Sequence, residues 1–198
     1  MFVLYLGFIG LTAFTLGVWA FGSWLRKHPS RTNAEKSGRA LHVLFSVGMV
    51  VPGAMMVILY LNFIEIDTLV AMKPLPVQPF FRAVGLIIAV PGLYLMGVSN
   101  KSLRNHGNGL DAFRLTQKIV RKNIYTYTRN PMSLGYYLWT LGLGLVSGSS
   151  FVTGLILLGF IPAHLFFLKY FEELELELRF GATYRGYKRD VPFLIPKF

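Results

Sequence analysis

The chain contains no cysteine among its 198 residues, which excludes disulfides, thiolate metal ligation and a cysteine nucleophile. Charge is scarce as well. Asp, Glu, Lys and Arg make up only 15% of the residues, well under the roughly one quarter usual in a soluble domain. Acidic residues are the scarcest of these, nine against 20 basic ones, and there are only four histidines. No spacing of His, Asp and Glu resembles a metal site, so no metal is expected. What the chain has instead is apolar sequence, 54% of the residues. The formal net charge of +11 invites a nucleic-acid reading. The basic residues flank apolar segments, however, as they do in membrane proteins, and no nucleic-acid partner is expected. Length favours a single unit, here a membrane domain over 1–198.

Five apolar stretches stand out, at 2–25, 40–66, 80–99, 133–148 and 151–171. A spanning helix needs about 20 residues, within a range of about 17–25. The first, second, third and fifth meet that length. The fourth meets it if it begins near Pro131, a residue suited to the first turn of a helix. Gly148-Ser149-Ser150 leaves room only for a tight turn between the last two. The expected fold is an all-α integral membrane bundle of about five transmembrane helices, with a helix 4–helix 5 hairpin and a cytoplasmic C-terminal helix. Residues 1–99 would hold three N-terminal spans, and 100–198 a cofactor-binding loop, the hairpin and the C-terminal segment.

Basic residues crowd the first connection (Arg26, Lys27, Arg31, Lys36, Arg39), the third (Lys101 to Arg129) and the tail (Arg179 to Lys197). The second connection, 67–79, has only Lys73. With positive loops inside, the N-terminus is outside and the C-terminus cytoplasmic. The first apolar run is too long for a signal-peptide core and lacks a basic leader, so it is expected to stay as an anchor. Pro52-Gly53, Pro91-Gly92 and Pro162 interrupt three of the spans, as local kinks or as a lateral gap for a lipid. Gly142 and Gly144 suggest close helix packing. Gly181 is placed to cap or bend the final helix, Tyr184, Tyr187 and Phe193 to anchor it at the interface, and 191–196 to fold back.

Two polar blocks flank the expected hairpin. The first runs from Tyr125 through Arg129-Asn130-Pro131 to Gly135, and the second holds Glu172-Glu173, Phe180-Gly181, Tyr184 and Tyr187. Charges beside lipid are costly to retain without a purpose. Arg129 just before a helix start can bind an anion, helped by the helix dipole and the bidentate guanidinium. Adjacent side chains on a helix point about 100° apart, so one of Glu172 and Glu173 can face inward. That carboxylate could accept from ribose hydroxyls or an amino group, pair with Arg129, or belong to an acidic face paired to Lys169 and Arg179.

This pattern resembles the isoprenylcysteine carboxyl methyltransferase / phospholipid methyltransferase family of integral-membrane enzymes. Family members show Arg-His-Pro or Arg-Asn-Pro, an apolar hairpin, Glu-Glu-x-x-Leu and then Phe-Gly-x-x-Tyr-x-x-Tyr. Here these are Arg129-Asn130-Pro131, Glu172-Glu173 with Leu176, Phe180-Gly181, Tyr184 and Tyr187, preceded by Ile119-Val120 and Tyr125. The match covers about residues 105–195. Asn123 stands where glycine is usual, Gln117 near a frequent histidine, Asn130 for the histidine of Arg-His-Pro, and Ser133 for a frequent tyrosine. The Asn-Pro-Met form is similar to bacterial and phospholipid-type members. The resemblance implies an S-adenosylmethionine pocket contacted or shaped by Tyr125, Arg129, Asn130, Pro131 and Glu173. Gly107 and Gly109 form a second candidate cofactor element, because glycine admits close approach of backbone amides, and Gln117 is counted with them.

The implied activity is methyl transfer from S-adenosylmethionine to a lipophilic, membrane-resident acceptor, a phospholipid amine or an isoprenylcysteine-type carboxylate. Arg129 would orient a carboxylate, and Glu172, Glu173 or a neighbour would serve an amine. Arg129 and Glu172 are the catalytic candidates. His164 lies inside a span, as a functional group or a helix–helix contact. His106 reads as a loop residue, and His28 and His42 as interfacial. An NADPH-dependent membrane sterol or isoprenoid reductase and a non-enzymatic membrane scaffold are the alternatives. The oligomeric state is left open.

Overall fold

Long apolar runs satisfy their backbone groups most simply as helices. The computed structural model describes residues 2–51, 64–106 and 115–197, and all regular structure among them is helical. In chain order these are α1 (Phe2–Lys27), α2 (Arg31–Phe45, prolonged by a wide π turn at Ser46–Val50), α3 (Ile64–Leu69) and α4 (Gln78–His106). A single 3₁₀ turn, Asn123–Thr126, leads to α5 (Pro131–Ser147), α6 (Ser150–Phe180) and α7 (Ala182–Asp190). Among the described residues, three segments are long and apolar enough to cross a membrane: Leu4–Lys27, Gln78–His106 and Ser150–Phe180. The expected fourth stretch forms a helix of 17 residues. The second runs through residues outside the described ones, Pro52-Gly53 among them.

Local chemistry sets the boundaries. Ser30 caps α2 by accepting from the Asn33 amide at 3.1 Å. Pro131 occupies the start of α5, where its missing N–H costs nothing. Gly148, at φ 75°, ends α5 in the left-handed conformation that glycine adopts without strain. Ser149 then caps α6 through the Val152 amide, at 3.1 Å. Pro162 leaves α6 continuous, and the wide turn at Ile156–Phe160 directly before it gives its ring room. A second wide turn, Phe167–Glu172, directly precedes Glu173.

The chain's contacts divide it into two units. One comprises Met1–Leu59, Leu103–Arg121 and Pro162–Asp190. There α1 meets the turn after α2 through Gly10 and Gly48, where an added Cβ on Gly10 would fall 1.7 Å from the Gly48 carbonyl oxygen. Phe14 is fully buried, its ring 5.4 Å from that of Phe45 and 5.6 Å from that of Phe167. His164 joins this aromatic core, 5.1 Å from the Phe45 ring. At the end of α1, Arg26 stacks 3.9 Å over Tyr170 and donates to its carbonyl at 2.7 Å, while Ser23 shares a hydrogen bond with the Tyr170 hydroxyl.

The other unit comprises Tyr60–Ser102, Lys122–Ile161 and Val191–Phe198. Here α4 and α5 touch backbone to backbone. Gly85 faces Gly142 and Gly92 faces Gly135, so the helices pair antiparallel with contacts seven residues apart. Any Cβ at these four positions would lie 2.5–2.7 Å from the opposing main chain. Small residues permit such approach in apolar surroundings. Asp67 is fully buried and accepts from the Ser149 hydroxyl (3.0 Å) and the amides of Ser150 (3.1 Å) and Phe151 (2.8 Å). It holds the N-terminal turn of α6, where a carboxylate complements the dipole.

Candidate functional site

In the second unit, the segment before α5 is built by the C-terminal tail. The Arg129 amide donates to the Pro192 carbonyl at 2.9 Å, and the Lys197 amide to the Tyr127 carbonyl at 3.2 Å. The fully buried Thr128 hydroxyl donates to the Leu194 carbonyl at 2.9 Å. Asn130 stands at the cap position of α5 without capping it by its side chain. Its amide group instead donates to the Phe193 carbonyl at 2.9 Å. Residues 191–196 thus fold back, as their apolar character suggests, onto 127–130. The Arg129 guanidinium lies 5.8 Å from the centroid of the Phe193 ring, within cation–π reach. Tyr125 and Pro131 are buried. Asn123, where glycine is usual, takes φ 54°. Asparagine is among the few residues other than glycine that enter this region readily.

In the first unit, the end of α6 carries two groups of charges. Glu173 is buried and accepts from Lys169 (3.3 Å) and from Lys188 of α7 (2.9 Å), and Lys188 also donates to Glu177 at 2.8 Å. The hydrogen bond to Glu177, reinforced by that to Glu173, holds the Lys188 ammonium above its ordinary pKa. Deeper in, Arg179 donates to Glu175 at 2.7 Å and to the Thr116 carbonyl, and lies 3.8 Å from Glu35 of α2. Gly181, at φ 55°, ends α6, and its amide reaches the Glu177 carbonyl at 2.9 Å. Tyr184 and Tyr187, expected at the interface as anchors, are instead buried at 3% and 4% exposure. The Arg121 guanidinium lies over Tyr187 at 5.3 Å and pairs with Asp190 at 2.6 Å. That hydrogen bond is the main reason Asp190 stays below the ordinary carboxylate range.

Tyr125, Arg129, Asn130 and Pro131 therefore share one tail-braced segment. Glu172 and Glu173 share the end of α6, and Gln117 is an exposed residue of the same unit. Gly107 and Gly109 lie outside the described residues. Of the partners weighed for the acidic pair, Lys169 does meet Glu173, whereas Arg179 meets Glu175. The sequence offers Arg179 as a partner for Glu172 and Glu173 rather than for Glu175, and Lys188 only as one of the basic residues of the tail. The spacing of Glu175 and Arg179, four apart on a helix, is a readable signal for pairing. Thr128 falls inside the first polar block without a role of its own there, and nothing in the sequence marks Glu35 or Asp67.

The family model for phospholipid methyltransferases matches residues 80–183, over half of the chain, and both polar blocks begin within that region. The chain belongs to the phospholipid methyltransferase family. It is also similar to the protein-S-isoprenylcysteine O-methyltransferase of Schizosaccharomyces pombe, with 32% identity over 81 residues. That alignment spans 39% of this chain and 33% of the relative, so the chain matches about a third of that protein's length. No solved structure matches it.

Proposed function

We propose that the protein transfers a methyl group from S-adenosylmethionine to a lipophilic acceptor resident in the membrane. The observation that carries this reading is the coincidence of the family match with two charge-bearing blocks in an otherwise apolar chain. The side chains present fit the cofactor's chemistry. Arg129, half-buried at the start of α5 on a braced backbone, offers a planar cation for an amino-acid carboxylate. The N-terminal turn of α5 adds its dipole in the same sense. Glu173 offers a buried carboxylate for hydroxyl or amino groups, and Tyr125 an aromatic wall. Gly107, Gly109, Gln117, Asn130 and Pro131 complete the assignment by resemblance to the family.

When bound, S-adenosylmethionine supplies an electrophilic methyl group on a sulfonium sulfur. Displacement at such a carbon needs alignment more than acid–base power, so the task of these residues is to orient and to exclude water. Arg129 would orient an acceptor carboxylate. Glu172 would hold or accept the proton of an acceptor amine. The S. pombe relative's name points to the first kind of acceptor and the family's to the second. We further propose five crossings, formed by the three long helices, the stretch at 40–66 and α5, with α5 and α6 as a hairpin. The N-terminus lies outside and the C-terminus in the cytoplasm, where a soluble cofactor is available.

The test is transfer of labelled methyl from S-adenosylmethionine, by the purified protein in lipid, to phosphatidylethanolamine or to a prenylated cysteine analogue. Label in either acceptor, lost in Arg129→Ala, supports the reading. Label in neither, together with NADPH oxidation in the presence of an unsaturated isoprenoid, contradicts it.

A further inference from the structure

Arg179 lies outside the motif residues quoted above, yet its guanidinium meets groups from three elements of the first unit. Its side chain is 4% exposed and that of Glu175 3%. A buried ion pair seldom stabilises more than an apolar pair of the same shape, and in some proteins such a pair serves to fix one arrangement among several. The partners of this guanidinium come from three separate segments. Glu175 lies one turn back on α6, Glu35 belongs to α2, and the Thr116 carbonyl belongs to the loop that carries Gln117. The packing reserves the place. A Cβ on Gly38 of α2 would lie 3.1 Å from Leu115 and 3.5 Å from the Glu175 carboxylate. Beyond the anchor, the Thr116 hydroxyl donates to the Lys118 carbonyl at 2.7 Å, closing a turn with Gln117 at its exposed apex.

We propose that Arg179 is a positioning residue for cofactor binding. It ties the loop at 115–118 to α6 and α2, and so fixes Gln117 relative to Glu173, which stands two residues from its partner Glu175. This rests on the methyltransferase reading. The guanidinium meets the Glu175 carboxylate with one terminal nitrogen and the Thr116 carbonyl with the other, a planar two-pronged geometry that a lysine ammonium does not reproduce. It also explains a charge where the helix would otherwise bury leucine.

The decisive variant is Glu175→Leu/Arg179→Leu, which replaces the pair by apolar side chains and leaves no buried charge unpaired. Three quantities are read on the full chain in detergent: thermal midpoint, amide exchange at residues 115–118, and calorimetric affinity for S-adenosylhomocysteine. The midpoint is expected to stay within a few degrees, exchange at 115–118 to quicken, and affinity to fall about tenfold or more, as for loss of a preorganising contact. Arg179→Lys, which keeps the charge and loses the fork, is expected to shift exchange and affinity in the same direction, and it decides the matter if the double variant does not fold. Unchanged affinity, or unchanged exchange at 115–118, overturns the inference while leaving the methyltransferase reading intact. Failure of the unmodified protein to bind S-adenosylhomocysteine overturns that reading, and this inference with it.

Discussion

A carboxylate with no solvent exposure has to be satisfied by the protein, and Asp67 is satisfied by a hydroxyl and two amides at the start of α6. Asp67→Ala strands those donors and is expected to lower stability by about 2–4 kcal/mol, measured by denaturant unfolding in detergent. Asp67→Asn keeps an acceptor oxygen and should recover part of the loss. Asp190 makes a different prediction. Its hydrogen bond to Arg121 depresses its pKa, so the contribution is complete above the ordinary carboxylate value of 3.8 and vanishes as pH falls through the lower folded value. Amide exchange in α7 should therefore quicken only in strongly acidic solution, and Asp190→Asn should remove that pH dependence. Sequence spoke unevenly at this scale. Pro131 announced the start of α5 because its geometry permits few other places in a helix. Asp67 was silent because its partners lie more than 80 residues away, and no spacing rule reaches that far.

Helix pairing in the second unit depends on the absence of side chains. A methyl group on Gly142 would meet the Gly85 carbonyl at 2.5 Å, and main chain cannot step aside as a side-chain tip can. Gly142→Ala should cost about 1–3 kcal/mol through separation of α4 and α5. Gly97, on the same α4 helix, has nothing within 4 Å of its notional Cβ, and Gly97→Ala should be neutral or gain about 0.5–1 kcal/mol. Matched unfolding curves of the two variants test the asymmetry. The long helices were legible because uninterrupted apolar runs leave the backbone few alternatives. Gly142 was legible as a packing residue, though its partners Gly85 and Ala89 were not. The tail strap was only half legible. Its apolar residues signalled a fold-back, but extended chain has no period, so its pairing with 127–130 emerged from the structure alone. Tyr184 and Tyr187 misled because an amphipathic ring serves equally at an interface and in a buried layer, and the packing of α7 chose the latter.

Taken whole, the described residues combine three helices of spanning length with charge concentrated in α2, the end of α6, α7 and a few loops, in the phospholipid methyltransferase family. The proposed orientation is open to direct test, since the chain has no cysteine to interfere. Lys73→Cys should react with an impermeant maleimide in intact cells, and Lys118→Cys only after permeabilisation; the reverse pattern would invert the topology. The family pattern in the two polar blocks was readable from sequence because it consists of a few residue types at fixed spacing. The Glu35–Arg179–Glu175 cluster, with Arg179 and Glu175 buried and Glu35 partly exposed, was not, because Glu35 and the Thr116 carbonyl come to Arg179 from segments far apart in the chain. The most direct measurement is calorimetric titration of the detergent-purified protein with S-adenosylhomocysteine, alongside Arg129→Ala and Glu173→Ala and with NADPH as control. The account predicts a dissociation constant of about 1–100 μM, weakened at least tenfold in both variants, and no heat from NADPH. Absence of S-adenosylhomocysteine binding, or binding of NADPH alone, would contradict it.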